Sequence, residues 1–294
     1  MTIDLVIPVY RGLNEVQRCI ESVLGSPARE LVDIVVIDDA SPEAEVSAYL
    51  GSVAADGRIR LLRNATNLGF VGSVNRGLRL HMDRDVILLN SDTQVAGDWV
   101  QRLRHAAHVA TNIGTVTPFS NNATICSYPF QGWRGGVPGG LGLEALNKVF
   151  ASENSGEIVD LPTAVGFCMY IRRDCLEQVG PFDEATFGRG YGEENDFCMR
   201  AATLGWRNVL ATDVFVFHEG SVSFGSERFA LMKTATEALL KKHPTYLDLV
   251  GSFLSRDPVD VYRARIDAAR ARMGSAEANH VTVESALKNA ARQR

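Results

Sequence analysis

Along its first hundred residues the chain alternates short, almost wholly apolar runs with stretches whose apolar positions recur at helical spacing. Ile3–Val9 predicts a buried strand. Leu13, Val16, Ile20, Val23 and Leu24 share one helical face, and Asn14 with Gln17 three residues on reads as a variant capping box at that helix's start. Val32–Ile37 is a second strand, rich in β-branched residues. Ser41-Pro42 then predicts a helix start, with a hydroxyl cap and proline at the first position. Ile59–Leu62 follows as a third strand, Phe70–Leu80 as a third helix and Asp85–Leu89 as a fourth strand. Strands alternating with helices imply a parallel sheet covered on both faces.

The pattern then becomes less regular. Asp98–Ala110 predicts a helix and Ile113–Pro118 a strand. From Phe119 to Gly142 glycine, asparagine, proline and serine dominate, which suits a long loop near a site. Tyr128, Phe130 and Trp133 in this loop either stack on a ligand or anchor the loop itself. Ala164–Ile171 and Val214–His218 read as strands, Glu194–Leu204 as a helix, and a further helix runs from about Glu227 to Lys242, before Pro244. After Asp257 the chain is rich in Arg and Ala, open to a solvated helix, an interaction arm or a frayed end.

Composition bounds the possibilities. The 294 residues, 46% hydrophobic and 22% charged, suffice for one large α/β domain with an appendage. A net charge of −5 gives no basic field, so no nucleic-acid partner is expected. Five cysteines without a CxxC pair argue for reduced, apolar thiols rather than a disulfide framework or zinc knuckle. Met1-Thr2-Ile3-Asp4 lacks the features of a secretory signal, and the apolar runs fall short of the roughly eighteen residues a membrane span needs. A cytoplasmic protein is expected, one that would meet a membrane from its surface.

Ligands of such sheets bind at the carboxyl ends of the strands. Those ends carry Pro8-Val9-Tyr10, Asp38-Asp39-Ala40-Ser41 and Asn90-Ser91-Asp92. No GxGxxG follows the first strand, which argues against a dinucleotide site. Carboxylates at a site's edge are poor partners for a bare phosphate but good ones for a phosphate bridged by a divalent cation.

These residues, with Asn67-Leu68-Gly69-Phe70, Asn75-Arg76-Gly77, Leu88-Leu89-Asn90-Ser91-Asp92-Thr93, Gly180-Pro181-Phe182-Asp183-Glu184, Glu193-Glu194-Asn195-Asp196 and His218-Glu219-Gly220-Ser221-Val222-Ser223, resemble in order the motif series of family 2 glycosyltransferases. The rhamnosyl- and galactofuranosyl-type members look most alike. The resemblance implies an α/β fold of GT-A type, Rossmann-like, with a mixed but mostly parallel central sheet flanked by helices. It implies a transferase domain over residues 1–245, divided into a nucleotide-sugar-binding half (1–118) and an acceptor and catalytic half (119–245), then a helical extension (246–294). The activity implied is transfer, with inversion, from a nucleotide-diphosphate sugar to a glycan or lipid-linked glycan in bacterial surface polysaccharide assembly. The cofactor implied is a divalent cation, Mn²⁺ or Mg²⁺, and peripheral membrane association would be compatible with such an acceptor.

Carried over residue by residue, the resemblance puts Pro8, Tyr10, Asp39, Asn67, Gly69, Asn75, Ser91 and Gly166 along the nucleotide sugar, Asp39 as an acceptor for the base. Asp92 and His218 become metal ligands, Glu194 the general base, and Glu193 its alternative. Plainer explanations stand beside these. Asp38 or Asp39 can cap the helix behind Ser41, His218 can be structural, and the acidic run can charge a helix start, where the dipole would weaken a base. Gly188, Gly190 and Gly192 suit a mobile loop near a ligand or a simple turn, and Arg172-Arg173 a phosphate contact or a solvated edge. Asn90 stands where the wider fold carries the first carboxylate of a DxD, which lowers the metal affinity expected from side chains and keeps a non-catalytic sugar-binding module open. A nucleotidyltransferase is the other competing class, for which Pro8-Val9-Tyr10-Arg11-Gly12 supplies only fragments of the needed glycine-rich basic loop.

Overall fold

In the computed structural model, which describes residues 2–137, 140–220 and 228–273, the strand–helix alternation builds one mixed sheet. β1 (Ile3–Val9), β2 (Val32–Asp38), β3 (Arg60–Arg63) and β4 (Val86–Leu89) are parallel and lie in the order β3-β2-β1-β4. The crossovers are α1 (Leu13–Leu24), α2 (Ala44–Ala55) and α3 (Gly69–Leu78). Successive strands move outward from β1 to β3, and β4 then returns to the far side of β1. The strand order therefore switches direction at β1, and a crevice opens at the carboxyl ends there.

Beyond β4 the direction alternates. β8 (Cys168–Ile171) lies between β4 and β6 (Ile113–Ser120), antiparallel to both, and β9 (Arg207–His218) is parallel to β6. β7 (Ile158–Leu161) pairs with β9 antiparallel. The pairing of β6 with β9 shifts register after Pro118, where Phe119 meets Phe215. The last residues of β9 then pair with the two-residue β5 (Thr93–Gln94), setting His218 opposite Thr93.

Both faces of the sheet are covered, so successive strand residues are buried on opposite sides. Leu5, Ile7 and Val9 pack with α1, α2, α4 (Trp99–His108) and α5 (Leu143–Glu153). Val6, Val35 and Leu88 pack with α3, α6 (Arg173–Val179), α8 (Glu193–Thr203) and α9 (Arg228–Lys242). The four-residue α7 (Glu184–Phe187) precedes α8, and α10 (Tyr246–Arg256) follows α9.

Several boundaries differ from the sequence expectation for identifiable reasons. The N-cap of α1 is Gly12, in the left-handed region, whose amide donates to the Glu43 carboxylate at 2.9 Å; Asn14 is already inside the first turn. α2 starts at Ala44 rather than at Ser41-Pro42, because Ser41 is used in a turn, its amide bonded to Asp38 and its hydroxyl accepting from the Glu43 amide. β9 begins seven residues before Val214, its early part carrying the polar Asn208, Thr212 and Asp213 that hid it. The start of the predicted helix at Glu227 lies outside the described residues.

The segment after Asp257 is helical over residues 260–273 and docks on the 119–142 loop. Arg263 is buried, giving Nε–H to the Ser127 carbonyl at 2.8 Å and bonding the Asp257 carboxylate. The Tyr128 hydroxyl donates to Asp267 at 2.6 Å and accepts from Arg270 at 2.7 Å, so Tyr128 anchors the loop. The rest of that segment, 274–294, lies outside the described residues. Tyr128→Phe is expected to lower stability by about 1–3 kcal/mol, the loss of a buried hydroxyl joined to two charged groups, measured as a shift of the urea midpoint.

Candidate functional site

The strand ends enclose a cavity of about 320 Å³ at the switch point. Pro8, Val9 and Tyr10 leave β1 along one wall, and Asn90, Ser91 and Asp92 leave β4 along another. Asp39, Asn67 and Gly69 line it from the end of β2 and the start of α3. Asp39 is 4% exposed, and its carboxylate accepts from the Asn64 side chain at 2.7 Å and from the amides of Leu68 and Gly69 at 2.7 and 2.9 Å. It thus satisfies the orphan amides of α3. A carboxylate has about four acceptor positions, so one is left on Oδ2 of Asp39, which lines the cavity. Asp38 turns away, bonded to the Ser41 amide and the Ser47 hydroxyl, both at 2.9 Å. Capping thus falls to both residues, with Asp38 alone serving the turn that leads into α2.

Gly69 has φ 77°, and a Cβ there would lie 2.8 Å from the Arg189 Cα. Only glycine lets the 188–192 segment approach α3 this closely. Asn67 accepts from the same Gly69 amide at 2.8 Å, forming the turn into α3. Two expected nucleotide-sugar contacts are placed differently. Asn75 is 1% exposed and outside the cavity wall; its amide exchanges two hydrogen bonds with the Phe182 backbone, tying α3 to the 180–184 segment. Gly166 packs against Glu194, whose Cγ would lie 3.5 Å from an added Cβ, while its neighbour Val165 lines the cavity.

The β5–β9 pairing brings Asp92 and His218 together. Oδ1 of Asp92 lies 3.4 Å from Nε2 of His218, and Oδ2 accepts from the Gly220 amide at 3.1 Å. His218 Nδ1 is 3.1 Å from the Asn122 carbonyl, which can only accept, so Nδ1 carries a proton and Nε2, on the Asp92 side, is the nitrogen able to ligate. Asn121 accepts from the His218 amide at 2.8 Å and donates to its carbonyl at 3.0 Å, and Phe167 stacks on the ring. Two cis ligands on an octahedral Mg²⁺-sized ion stand about 3 Å apart, so this pair fits a divalent cation with little adjustment. Ser221 and Ser223 of the same motif lie outside the described residues.

Asp4, Asp33 and His81 form a second cluster with metal-ligand donors, at the opposite end of the strands. His81 Nδ1 lies 2.9 Å from both Asp4 oxygens, and Arg84 reaches Asp4 at 3.2 Å and Asp33 at 3.4 Å. A guanidinium already supplies the positive charge there, and the pair reads as a structural tie.

A second cavity of about 270 Å³ adjoins the first, and Thr124, Val165, Tyr191 and Met232 wall both. Glu194, half-buried in the first turn of α8, borders it with Asn195 and Tyr246. Glu193 is 4% exposed, borders neither cavity and leaves Oε2 without a partner. Burial raises the pKa of both carboxyls, and the Glu194 charge raises that of Glu193 further. Desolvation therefore outweighs the helix-start effect that would have weakened Glu194 as a base. For Asp196 burial is overcome by hydrogen bonds from Lys242, His243 and Arg200, at 2.7 to 2.8 Å, which hold its carboxyl below the usual range. Asp196 anchors α8 to α9.

Glu193 has a consequence for stability. Its folded pKa lies above the unfolded value, so the wild type loses stability as pH rises through the folded pKa. Glu193→Gln should therefore gain stability relative to wild type above the ordinary glutamate range. The gain should vanish in acid, as read from denaturation midpoints across pH.

Sequence reading missed Arg134, Arg189, Tyr191 and Met232 on the cavity walls, although the Gly188-Arg189-Gly190-Tyr191-Gly192 spacing marked the segment. Arg172 and Arg173 are not at the site; they bond Asp174 and backbone carbonyls of residues 78, 84, 110 and 111.

Comparisons with known proteins agree with this geometry. Residues 4–180 match the family model described as glycosyl transferase family 2. An N-acetylglucosaminyl-diphospho-decaprenol L-rhamnosyltransferase of Mycobacterium tuberculosis is 27% identical over 64% of this chain and 66% of its own length. A Sinorhizobium fredii protein is 25% identical over 76% of this chain, which spans only 25% of that longer protein. Among solved structures, a Pyrobaculum calidifontis mannosyltransferase in complex with GDP-Man and Mn²⁺ superposes with a TM-score of 0.58 at 16% identity, covering 97% of this chain and 79% of that one. The fold is thus GT-A, and no helix among the described residues is long and apolar enough to cross a membrane. With its motifs at the strand ends and more than half its length matched, the chain belongs to glycosyl transferase family 2.

Proposed function

We propose that the chain transfers a sugar, with inversion, from a nucleotide-diphosphate sugar in the first cavity to a hydroxyl of a glycan or lipid-linked glycan in the second. The observation that carries this is the meeting of the two cavities at a shared wall, with a carboxylate of raised pKa on the acceptor side and an Asp–His pair on the donor side. Asp39 offers its remaining acceptor position to the base, and Tyr10 and Asn67 border the same space. Asp92 Oδ1 and His218 Nε2 would hold a divalent cation, which when bound neutralises the leaving diphosphate as a Lewis acid. Glu194 takes the proton of the acceptor hydroxyl as the new bond forms. Inversion follows from a single displacement, and the donor-side carboxylates support it: Asp39 is committed to α3 and Asp92 to His218 and Gly220, so neither is disposed to act as a nucleophile.

The Mycobacterium tuberculosis relative is named for a lipid-diphosphate-linked acceptor, and the second cavity mixes polar groups (Glu194, Asn195, Thr163) with apolar ones (Leu239, Val250). That mixture supports a glycan-assembly acceptor. We also read residues 1–118 as the donor half, 119–245 as the acceptor half and the rest as a helical extension. Incubation with a panel of UDP-, GDP- and dTDP-sugars, with and without Mn²⁺, is expected to give slow, Mn²⁺-dependent release of one nucleoside diphosphate and an anomerically inverted product with acceptor. Tight Mn²⁺-dependent binding with no release from any donor would instead favour a sugar-binding module, the reading that Asn90 keeps open.

A further inference from the structure

Resting on that reading of the donor cavity, we propose that Arg189 is a catalytic residue, its guanidinium contacting the diphosphate of the donor and bearing part of the charge that develops on it. Two observations on the cavity wall converge. Arg189 lines the first cavity, on the same walls as Asp39, Asp92 and His218. Asn90, also on that wall, is a neutral amide, so a cation held between Asp92 and His218 meets one carboxylate there. A diphosphate with fewer metal-anchoring groups needs charge neutralisation from elsewhere, and a guanidinium supplies it with two parallel donors.

The backbone around Arg189 fits this role. Gly188, Gly190 and Gly192 all have positive φ, and Tyr191, a non-glycine residue, is held at φ 70° between the last two. Strain of this kind persists where surrounding structure enforces it, and it gathers at ligand clamps. The enforcing contacts are present: the Phe70 amide donates to the Arg189 carbonyl at 3.3 Å, and the Gly190 amide to the Phe187 carbonyl at 2.8 Å. Two residues after Tyr191, which walls both cavities, comes Glu194's neighbour Glu193 and the start of α8. One short segment thus carries the diphosphate contact and leads directly into the helix that bears the base.

The test is calorimetric titration of the full chain in Mn²⁺ with UDP, GDP and dTDP and with the matching monophosphates. Arg189 is exposed, so Arg189→Ala removes no core packing, and Arg189→Lys restores the charge without the fork. For the preferred base, Arg189→Ala is expected to weaken diphosphate binding about 10–100-fold, the equivalent of a charge-assisted hydrogen bond, and to leave monophosphate binding unchanged. Arg189→Lys should recover part of the loss. Equal weakening of mono- and diphosphate, or no weakening of either, would overturn the assignment. If the wild type binds none of the three diphosphates in Mn²⁺, the nucleotide-sugar reading itself fails, and this proposal with it.

Discussion

Glu194→Gln is expected to slow sugar transfer about 10²–10⁴-fold, the range a positioned general base contributes, while Mn²⁺-dependent binding of nucleoside diphosphate stays as in the wild type. Glutamine keeps the shape and burial of the side chain but cannot take a proton. Glu194 borders the second cavity and not the first, so its loss should spare the donor. The wild-type rate should also fall as pH drops through a midpoint above the ordinary glutamate range, because burial raises the Glu194 pKa and only the ionised form acts as base. Glu193→Gln should retain most activity, since Glu193 reaches neither cavity. Full activity in Glu194→Gln with its loss in Glu193→Gln would reverse the assignment.

The second large effect concerns the cation. His218→Ala removes one of the two side chains proposed to hold the ion, an imidazole already oriented by Asn122, and it should weaken Mn²⁺-dependent nucleotide binding by roughly 100-fold or more. Loss of groups that merely orient a ligand already costs about 10–100-fold. Asp92→Asn should do the same and add the loss of a charge. Asn90→Asp acts in the opposite direction, because it adds a carboxylate two residues from Asp92 on the cavity wall. It should tighten Mn²⁺ binding in the absence of nucleotide, measured by titration with the metal alone. Unchanged Mn²⁺ binding in Asn90→Asp would show that position 90 does not face the ion.

What pattern could reveal was set by range along the chain. β1, β2, β4 and their helices were legible because each is continuous and covered on both faces, so apolar runs and helical periodicity mark them directly. β5 was not, since two residues carry no period, yet its pairing with β9 is what sets His218 beside Asp92. The antiparallel place of β8 between β4 and β6 depends on contacts distant in sequence. Pro8, Tyr10, Asp39, Ser91 and Asp92 at strand ends, with Asn67 and Gly69 at the start of α3, gathered on one cavity because position at an element's end is itself a local property. Asn75 did not, since helix phase turns it toward Phe182, and Gly166 gives way to Glu194. Arg189 and Tyr191 escaped notice because it is the course of the 188–192 backbone, with positive φ at Gly188, Gly190, Tyr191 and Gly192, that brings them to the cavity.

The claim on which the rest depends is that the cation sits between Asp92 and His218, with a nucleoside diphosphate against it. Anomalous diffraction at the manganese edge from crystals soaked in Mn²⁺ with UDP, GDP or dTDP measures this directly. The expected result is one peak within ligand distance of Asp92 Oδ1 and His218 Nε2, with diphosphate density against it. A peak at the Asp4, Asp33 and His81 cluster with none at Asp92, or diphosphate bound in the cavity without metal, would contradict it.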